Sequence, residues 1–374
     1  MSTIIGPTVL GIGTILVSSM FAVLKSLDGI HPIVRASWRL QTTFLALAAP
    51  SAISRYLDIT RKNGGKPVGR NYAASYFLPP VTTAWSGCGY ALYNVGLCIA
   101  LAKTSLLRAS ILSQCAPLFI VLHNVFRSRC YHPSRGQLET TNSGGGEEEE
   151  GATRWEHMLG VVLTLVGTGI YISSTTAATE SGVDESEPSG IASSPTTDFG
   201  SHILGDVAAI AASAGYAMYL SCSRRAQRVV PVYVHLPGCV LVAMILVSAL
   251  GELLLNTHAS YGDDIHFCSS LLGWTCREYL PRNLFLGVVC GAVAVGMINW
   301  SLNHVSALQA AAASSAEPIA ASIIGVVFFA EPAPNSTAVI AAGIIVLAML
   351  LCSADYGTTN TTTSKKDTTT HSIC

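Results

Sequence analysis

The chain has 374 residues, of which 50% are hydrophobic and only 11% charged, and its formal net charge is −1. Soluble domains carry about 25% charged residues, so a water-soluble globule is excluded and a polytopic membrane protein is indicated. The near-neutral balance offers no surface for nucleic acid, and nothing in the chain calls for a cofactor.

Apolar windows of roughly 17 to 25 residues, the length that crosses a bilayer, fall at 4–24, 32–53, 77–101, 105–126, 156–174, 203–222, 231–251, 284–304, 306–329 and 335–353. They predict an all-α integral membrane protein with ten transmembrane helices. Met1 to Leu24 has no basic leader and no convincing cleavage site, so it reads as a first membrane helix rather than a signal peptide. Gly287, Gly291 and Gly296, with Ala310 to Ala313, suit close helix contacts in lipid. Eleven cysteines are scattered without CxxC pairs and read as packing residues. Cys268 and Cys276 share a connecting loop and could pair in an oxidising compartment. Trp38, Trp155 and Tyr356 read as interfacial anchors.

Basic residues set the expected orientation. With the N-terminus in the cytoplasm, inner loops collect Arg55, Arg61, Lys62, Lys66, Arg70, Arg127, Arg129, Arg135, Arg154, Arg224, Arg225 and Arg228. The tail adds Lys365 and Lys366, so the positive-inside rule places both termini in the cytoplasm. Segments 130–155, 175–201 and 355–374 are polar or acidic, too poor in apolar surface to fold alone, and are expected to be disordered. The linker 175–201 divides the chain into 1–174 and 202–354, five helices each. A five-helix unit repeated in tandem enters the membrane the second time from the opposite face, so the halves are expected to be inverted repeats with a site between them.

The clearest sign of that site is Leu308 to Pro332, an apolar passage with one glutamate, Glu317, followed by Pro318. Two hundred residues earlier, Arg108 to Phe126 repeats the theme around Pro117. Aligning the prolines puts Cys115-Ala116-Pro117-Leu118 over Ala316-Glu317-Pro318-Ile319. Helices broken at matching points of two halves mark a transporter's binding site.

These residues resemble the drug/metabolite transporter superfamily, specifically its EamA-type members. Lys25, Pro32 and Arg39 resemble the family's spacing across helices one and two. The passages through YALYNVGLCIALAKTSLLRASILSQCAPLF and GVVLTLVGTGIYIS look like the rest of one unit. Gly205 to Ala226 is similar to the opening of a second unit, and Pro318, Glu331 and Gly343 to its close. The first half departs from the pattern: Arg129-Cys130 stands where the family has the counterpart of Glu331. The resemblance implies a carrier of small organic metabolites.

The expected substrate-binding or coupling residues are Glu317, Arg39, Tyr90, Asn94, Ser113, Gln114, Tyr216, Asn299, Trp300, Ser314 and Ser315, with Pro117 and Pro318 as helix breaks. Tyr93, Ser213, Tyr219, Asn303 and Gln309 accompany them. Polar groups at membrane depth find no partners in lipid and should face the interior. Glu317 could bind a proton or a substrate cation, or be a structural acid. Arg39 either holds an anionic group or pairs with Glu317, the pairing being preferred. Asp206 reads as structural, at the start of its helix. The lack of a basic cluster at midplane tilts the expected solute toward neutral, zwitterionic or cationic species.

The function expected is alternating-access transport of a small organic metabolite in a lipid bilayer. No ATP-binding GxxxxGK[ST] loop and no metal ligand set is present, His123 and His304 lie at helix ends near the cytoplasm, and no nucleophile elbow appears, so an enzyme is not expected. The alternatives are a non-transporting receptor or scaffold on the same fold, and a nucleotide-sugar or phosphorylated-sugar exchanger. A homodimer is compatible with either.

Overall fold

A computed structural model describes residues 2–27, 29–62, 81–104, 106–130, 159–170, 173, 198–258, 270–329 and 335–353. Regular structure among them is helical, as lipid requires of a backbone that must satisfy its own hydrogen bonds. In chain order the helices are α1 (Ser2–Lys25), α2 (Pro32–Lys62), α3 (Val81–Lys103), α4 (Leu106–Leu112) and α5 (Ala116–Cys130). Next come α6 (Leu159–Ile170), α7 (Asp198–Gln227), α8 (Val232–His258) and α9 (Leu280–Ser301). The last three are α10 (Ala307–Ser314), α11 (Glu317–Phe329) and α12 (Ser336–Ser353).

Among the described residues, five segments are long and apolar enough to cross a membrane: Ile5–Leu24, Ala109–Phe126, Ile203–Gln227, Val232–Leu254 and Leu280–Ser301. Their outward faces carry Ile15, Leu122, Val207, Ile245 and Leu253, each more than half exposed. Exposed apolar surface on that scale is a lipid-facing wall. The protein is therefore membrane-embedded and multi-pass.

Small residues set how closely the helices approach. α3 packs along α7, and α2 packs on α8 and α9. A Cβ on Gly89 would sit 2.7 Å from the Gly215 carbonyl, and one on Gly215 would sit 2.8 Å from the Gly89 carbonyl. Only glycine permits this backbone-to-backbone contact. Gly287 and Gly291 of α9 also sit at close contacts, against the side chains of Thr42 and Thr43 of α2, as their sequence spacing suggests. Gly296 does not: the nearest atom to a Cβ there is a Leu236 methyl at 3.9 Å.

Between Phe285 and Val293, α9 is wound as a π-helix. Such segments concentrate at functional sites.

Several expectations need correction. The linker 175–201 is shorter than expected at its C-terminal end, because α7 already begins at Asp198. The rest of that linker, the stretch 131–155 of the acidic loop, the tail from 355, Trp155, Tyr356 and Glu331 lie outside the described residues. Trp38 is not an interfacial anchor. It is fully buried, donates from Nε1 to the Ser270 carbonyl at 2.9 Å, and packs its ring 5.4 Å from that of Tyr279. The loop before α9 is clasped onto α2 a second time, by Trp274 Nε1 donating to Gln41 Oε1 at 2.8 Å. In this loop Cys276 is disulfide-bonded, while Cys268 lies outside the described residues.

Candidate substrate site

Arg39 comes from α2 and is almost wholly buried. Its Nη1 donates to Asn94 Oδ1 of α3 at 2.7 Å, and Asn94 Nδ2 donates back to the Tyr90 carbonyl at 2.7 Å. The asparagine amide is thereby held with its oxygen toward the guanidinium. Arg39 Nε and Nη2 are buried with no partner. The expected pair with Glu317 does not form: Arg39 turns to Asn94, and Glu317 accepts from Gln114. Among the described residues no carboxylate makes a direct ion pair with the cation.

Around Arg39 lies a cavity of about 10 Å³, lined also by Val17, Tyr90, Tyr93, Tyr216, Tyr219, Val295 and Ile298. That is room for about one water molecule. The four tyrosines form a box. Tyr90 lies 4.9 Å from Tyr219 and Tyr93 lies 4.9 Å from Tyr216, measured between ring centroids. Along each helix the rings are 6.3 Å and 6.0 Å apart. These separations fall in the range where aromatic pairs attract.

The box is written in the sequence as a repeated motif, Gly89-Tyr90-Ala91-Leu92-Tyr93 on α3 and Gly215-Tyr216-Ala217-Met218-Tyr219 on α7. Each glycine brings the two backbones together and each i, i+3 tyrosine pair then faces the other helix. The cross-pairing of Tyr90 with Tyr219 and Tyr93 with Tyr216 shows that the helices run antiparallel. Sequence reasoning named these tyrosines singly; the matching five-residue motif was the signal that joins them.

The two helix breaks meet. α4 stops at Leu112 and α5 starts at Ala116; α10 stops at Ser314 and α11 starts at Glu317. Pro117 and Pro318 are the second residues of the restarted helices, where a missing N–H leaves no gap in the bonding. The prolines thus start half-helices instead of kinking continuous ones. Gln114 Nε2, in the first break, donates to Glu317 Oε2 at the second at 2.9 Å. Glu317 is 1% exposed and occupies the first turn of α11, where the helix dipole favours an anion. Just before it, Ser314 Oγ lies 2.9 Å from the Tyr216 hydroxyl, tying this break to the tyrosine box.

Other predicted residues take lesser places. Asn299 of α9 donates to the Tyr219 hydroxyl and accepts from Gln227 at 3.1 Å. Its neighbour Trp300 points the other way, 39% exposed, with its ring 4.5 Å from that of His304. Consecutive helical residues face different directions, so only one of the two could reach the interior. Ser113 bonds the Ser110 carbonyl at 2.8 Å and Ser315 the Ala311 carbonyl at 3.5 Å, so both hydroxyls serve their own backbone. Gln309 closes a capping box with Ser306 at the start of α10, and Asn303 is exposed. Ser213 is buried with its hydroxyl unpartnered.

One polar cluster escaped the sequence reading. His235 of α8 is fully buried, with Nδ1 3.0 Å from Thr83 Oγ1 and Nε2 3.1 Å from Ser223 Oγ. Ser223 continues to Ser86 at 2.7 Å, and Ser86 to Cys239 Sγ at 3.4 Å. A buried serine–histidine pair therefore does exist, contrary to expectation. Ser223 Oγ is engaged by both His235 and Ser86, and neither lines the cavity, so the cluster joins α3, α7 and α8 as interhelical glue. Among the described residues no group of histidine, cysteine and carboxylate side chains could hold a metal ion.

Residues 203–354 match the EamA-like transporter family. A solved structure described only as "Crystal structure of protein" shares the fold, with a TM-score of 0.59 at 19% identity over 93% of this chain and 96% of that one. No curated protein matches the sequence.

Proposed function

From an EamA-like transporter family domain at residues 203–354 of a membrane-embedded, multi-pass chain, we propose a secondary transporter that moves a small organic solute by alternating access. It crosses the bilayer ten times, as two inverted five-helix repeats over 1–174 and from α7 to residue 354, with both termini in the cytoplasm. It acts as a carrier and not as an enzyme.

The observation that carries this reading is the meeting of two interrupted helices, one from each half, through Gln114 and Glu317. Interrupted helices at equivalent points of two repeats are how such carriers build a site at the midplane. The packing supports the same symmetry. Exchanging crossings one to five with six to ten turns the α3–α7 contact into the α9–α1 contact. It likewise turns α3–α8 into α9–α2, and α5–α7 into α11–α1, and all six contacts are present.

In this reading Arg39, Asn94 and the four tyrosines form the solute site, with Asn299 and Ser314 bracing it from behind. Glu317 and Gln114 report the state of the two breaks. The cavity, with room for about one water, corresponds to a closed state of the cycle. A disulfide on Cys276 fits a loop that faces an oxidising compartment, opposite to the cytoplasmic termini. The test is solute uptake into proteoliposomes across a metabolite panel. Uptake above protein-free vesicles for at least one solute is expected, and equal flux with and without protein throughout the panel refutes the proposal.

A further inference from the structure

Tyr216 is engaged by Ser314 and Tyr219 by Asn299. The fully buried polar atoms of the lining residues that have no partner are Arg39 Nε, Arg39 Nη2 and the Tyr90 hydroxyl. All three belong to residues that line the cavity, and all three can donate. Nε and Nη2 form one edge of the guanidinium, a planar two-pronged fork whose match is a carboxylate accepting two parallel bonds. The opposite corner, Nη1, is fixed on Asn94, so the fork is held in place.

Charge leads to the same class of ligand. A buried guanidinium with no carboxylate beside it is costly unless something compensates it. Glu317 acts on Arg39 only through space: its Oε2 accepts from Gln114 and it makes no direct ion pair with the guanidinium, whose Nε and Nη2 stay unpartnered. Among the described residues no second basic side chain lines the cavity, so a doubly charged phosphate would be left half neutralised. The remaining wall is tyrosine faces with Val17, Val295 and Ile298, a surface for a flat or apolar body.

Resting on the transporter reading for the location of the site, we propose that the solute is an organic monocarboxylate. Its carboxylate is held bidentately by Arg39 Nε and Nη2 with the Tyr90 hydroxyl beside it, and its apolar body lies against the tyrosine box. This departs from the sequence-based tilt toward neutral, zwitterionic or cationic solutes and retains the disfavour for phosphates.

The test uses the purified full chain in detergent, with phenylacetate, phenylacetamide, phenethylamine and phenyl phosphate as probes of one shape and different charge. Phenylacetate should raise the melting temperature, and the other three should leave it unchanged. Arg39→Gln should abolish that shift, read against the variant's own unliganded melting temperature, which should fall because the bond to Asn94 is lost. Tyr90→Phe, which alters no formed bond, should fold normally and show a reduced shift. Equal shifts from amide, amine or phosphate, a shift that survives Arg39→Gln, or no shift from phenylacetate would each overturn the assignment. Counterflow in proteoliposomes separates the two claims. Flux of the amine without flux of the carboxylate overturns the monocarboxylate and keeps the transporter. An Arg39-dependent shift without flux of any solute keeps the monocarboxylate site and removes the transporter.

Discussion

The α3–α7 seam and the seam between the broken helices are closed by opposite means. Along the first, Gly89 and Gly215 lay backbone on backbone, and the four tyrosine rings pack above them. Along the second, one side-chain bond, Gln114 to Glu317, spans two interruptions of helix. Interdigitated backbone has no spare volume and no alternative arrangement nearby. A single hydrogen bond, with a net worth of about 1 kcal/mol, can be exchanged for another at little cost. A carrier needs both a part that holds the site's shape and a part that lets go, and the comparison assigns them to different helices.

Mutations that attack the stiff seam should have the largest effect. In Gly89→Leu the new side chain starts 2.7 Å from the Gly215 carbonyl and 2.8 Å from the Tyr219 amide, neither of which can swing aside. A loss of about 3 kcal/mol or more is expected, read as a steep fall in melting temperature. A variant that melts like the natural protein would show that α3 and α7 are not locked.

The compliant seam should respond less in stability and more in transport. Glu317→Ala leaves Gln114 without its acceptor and should cost about 1 to 3 kcal/mol. Glu317→Gln keeps a group able to accept from Gln114 and should melt close to the natural protein, yet lose uptake driven by a proton gradient. Undiminished proton-driven uptake in Glu317→Gln would remove any coupling role for the acid.

Smaller still is the difference between two tyrosines of the same box. Tyr216→Phe breaks the contact with Ser314 and should cost about 1 kcal/mol. Tyr90→Phe removes a hydroxyl that has no partner and should leave unliganded stability unchanged. Paired melting curves of the two variants measure the link between box and break directly. At the bottom of the scale, Gly296→Ala meets open space to 3.9 Å and should gain about 0.5 kcal/mol through helix propensity. A loss there would mean that a third glycine seam exists.

What could be read from the sequence follows from what a membrane makes expensive. A lone carboxylate and two prolines in apolar runs stand out because lipid penalises each, so Glu317, Pro117 and Pro318 were visible at once. Arg39 stood out for the same reason, but its partner did not. Charge suggested Glu317, whereas the α2–α3 packing delivers Asn94. Direction around a helix was the second blind spot: Asn299 and Trp300 are adjacent in sequence and only the first reaches the box. Trp38 was misplaced because a tryptophan near a helix end looks interfacial until the loop over it is seen. The His235 cluster was missed because Thr83, Ser86, Ser223 and Cys239 are unremarkable singly in apolar helices. Only the packing of α3, α7 and α8 brings them into one chain of bonds.

The π-wound stretch Phe285–Val293 divides α9 into two faces that need not move together. Within it, Gly287 and Gly291 hold α2; after it, Val295 and Ile298 line the cavity and Asn299 grips Tyr219. A π-turn carries more residues than an α-turn, so winding it down to α would turn everything beyond it about the helix axis. Such a screw motion would withdraw two apolar wall residues and one polar brace in a single step.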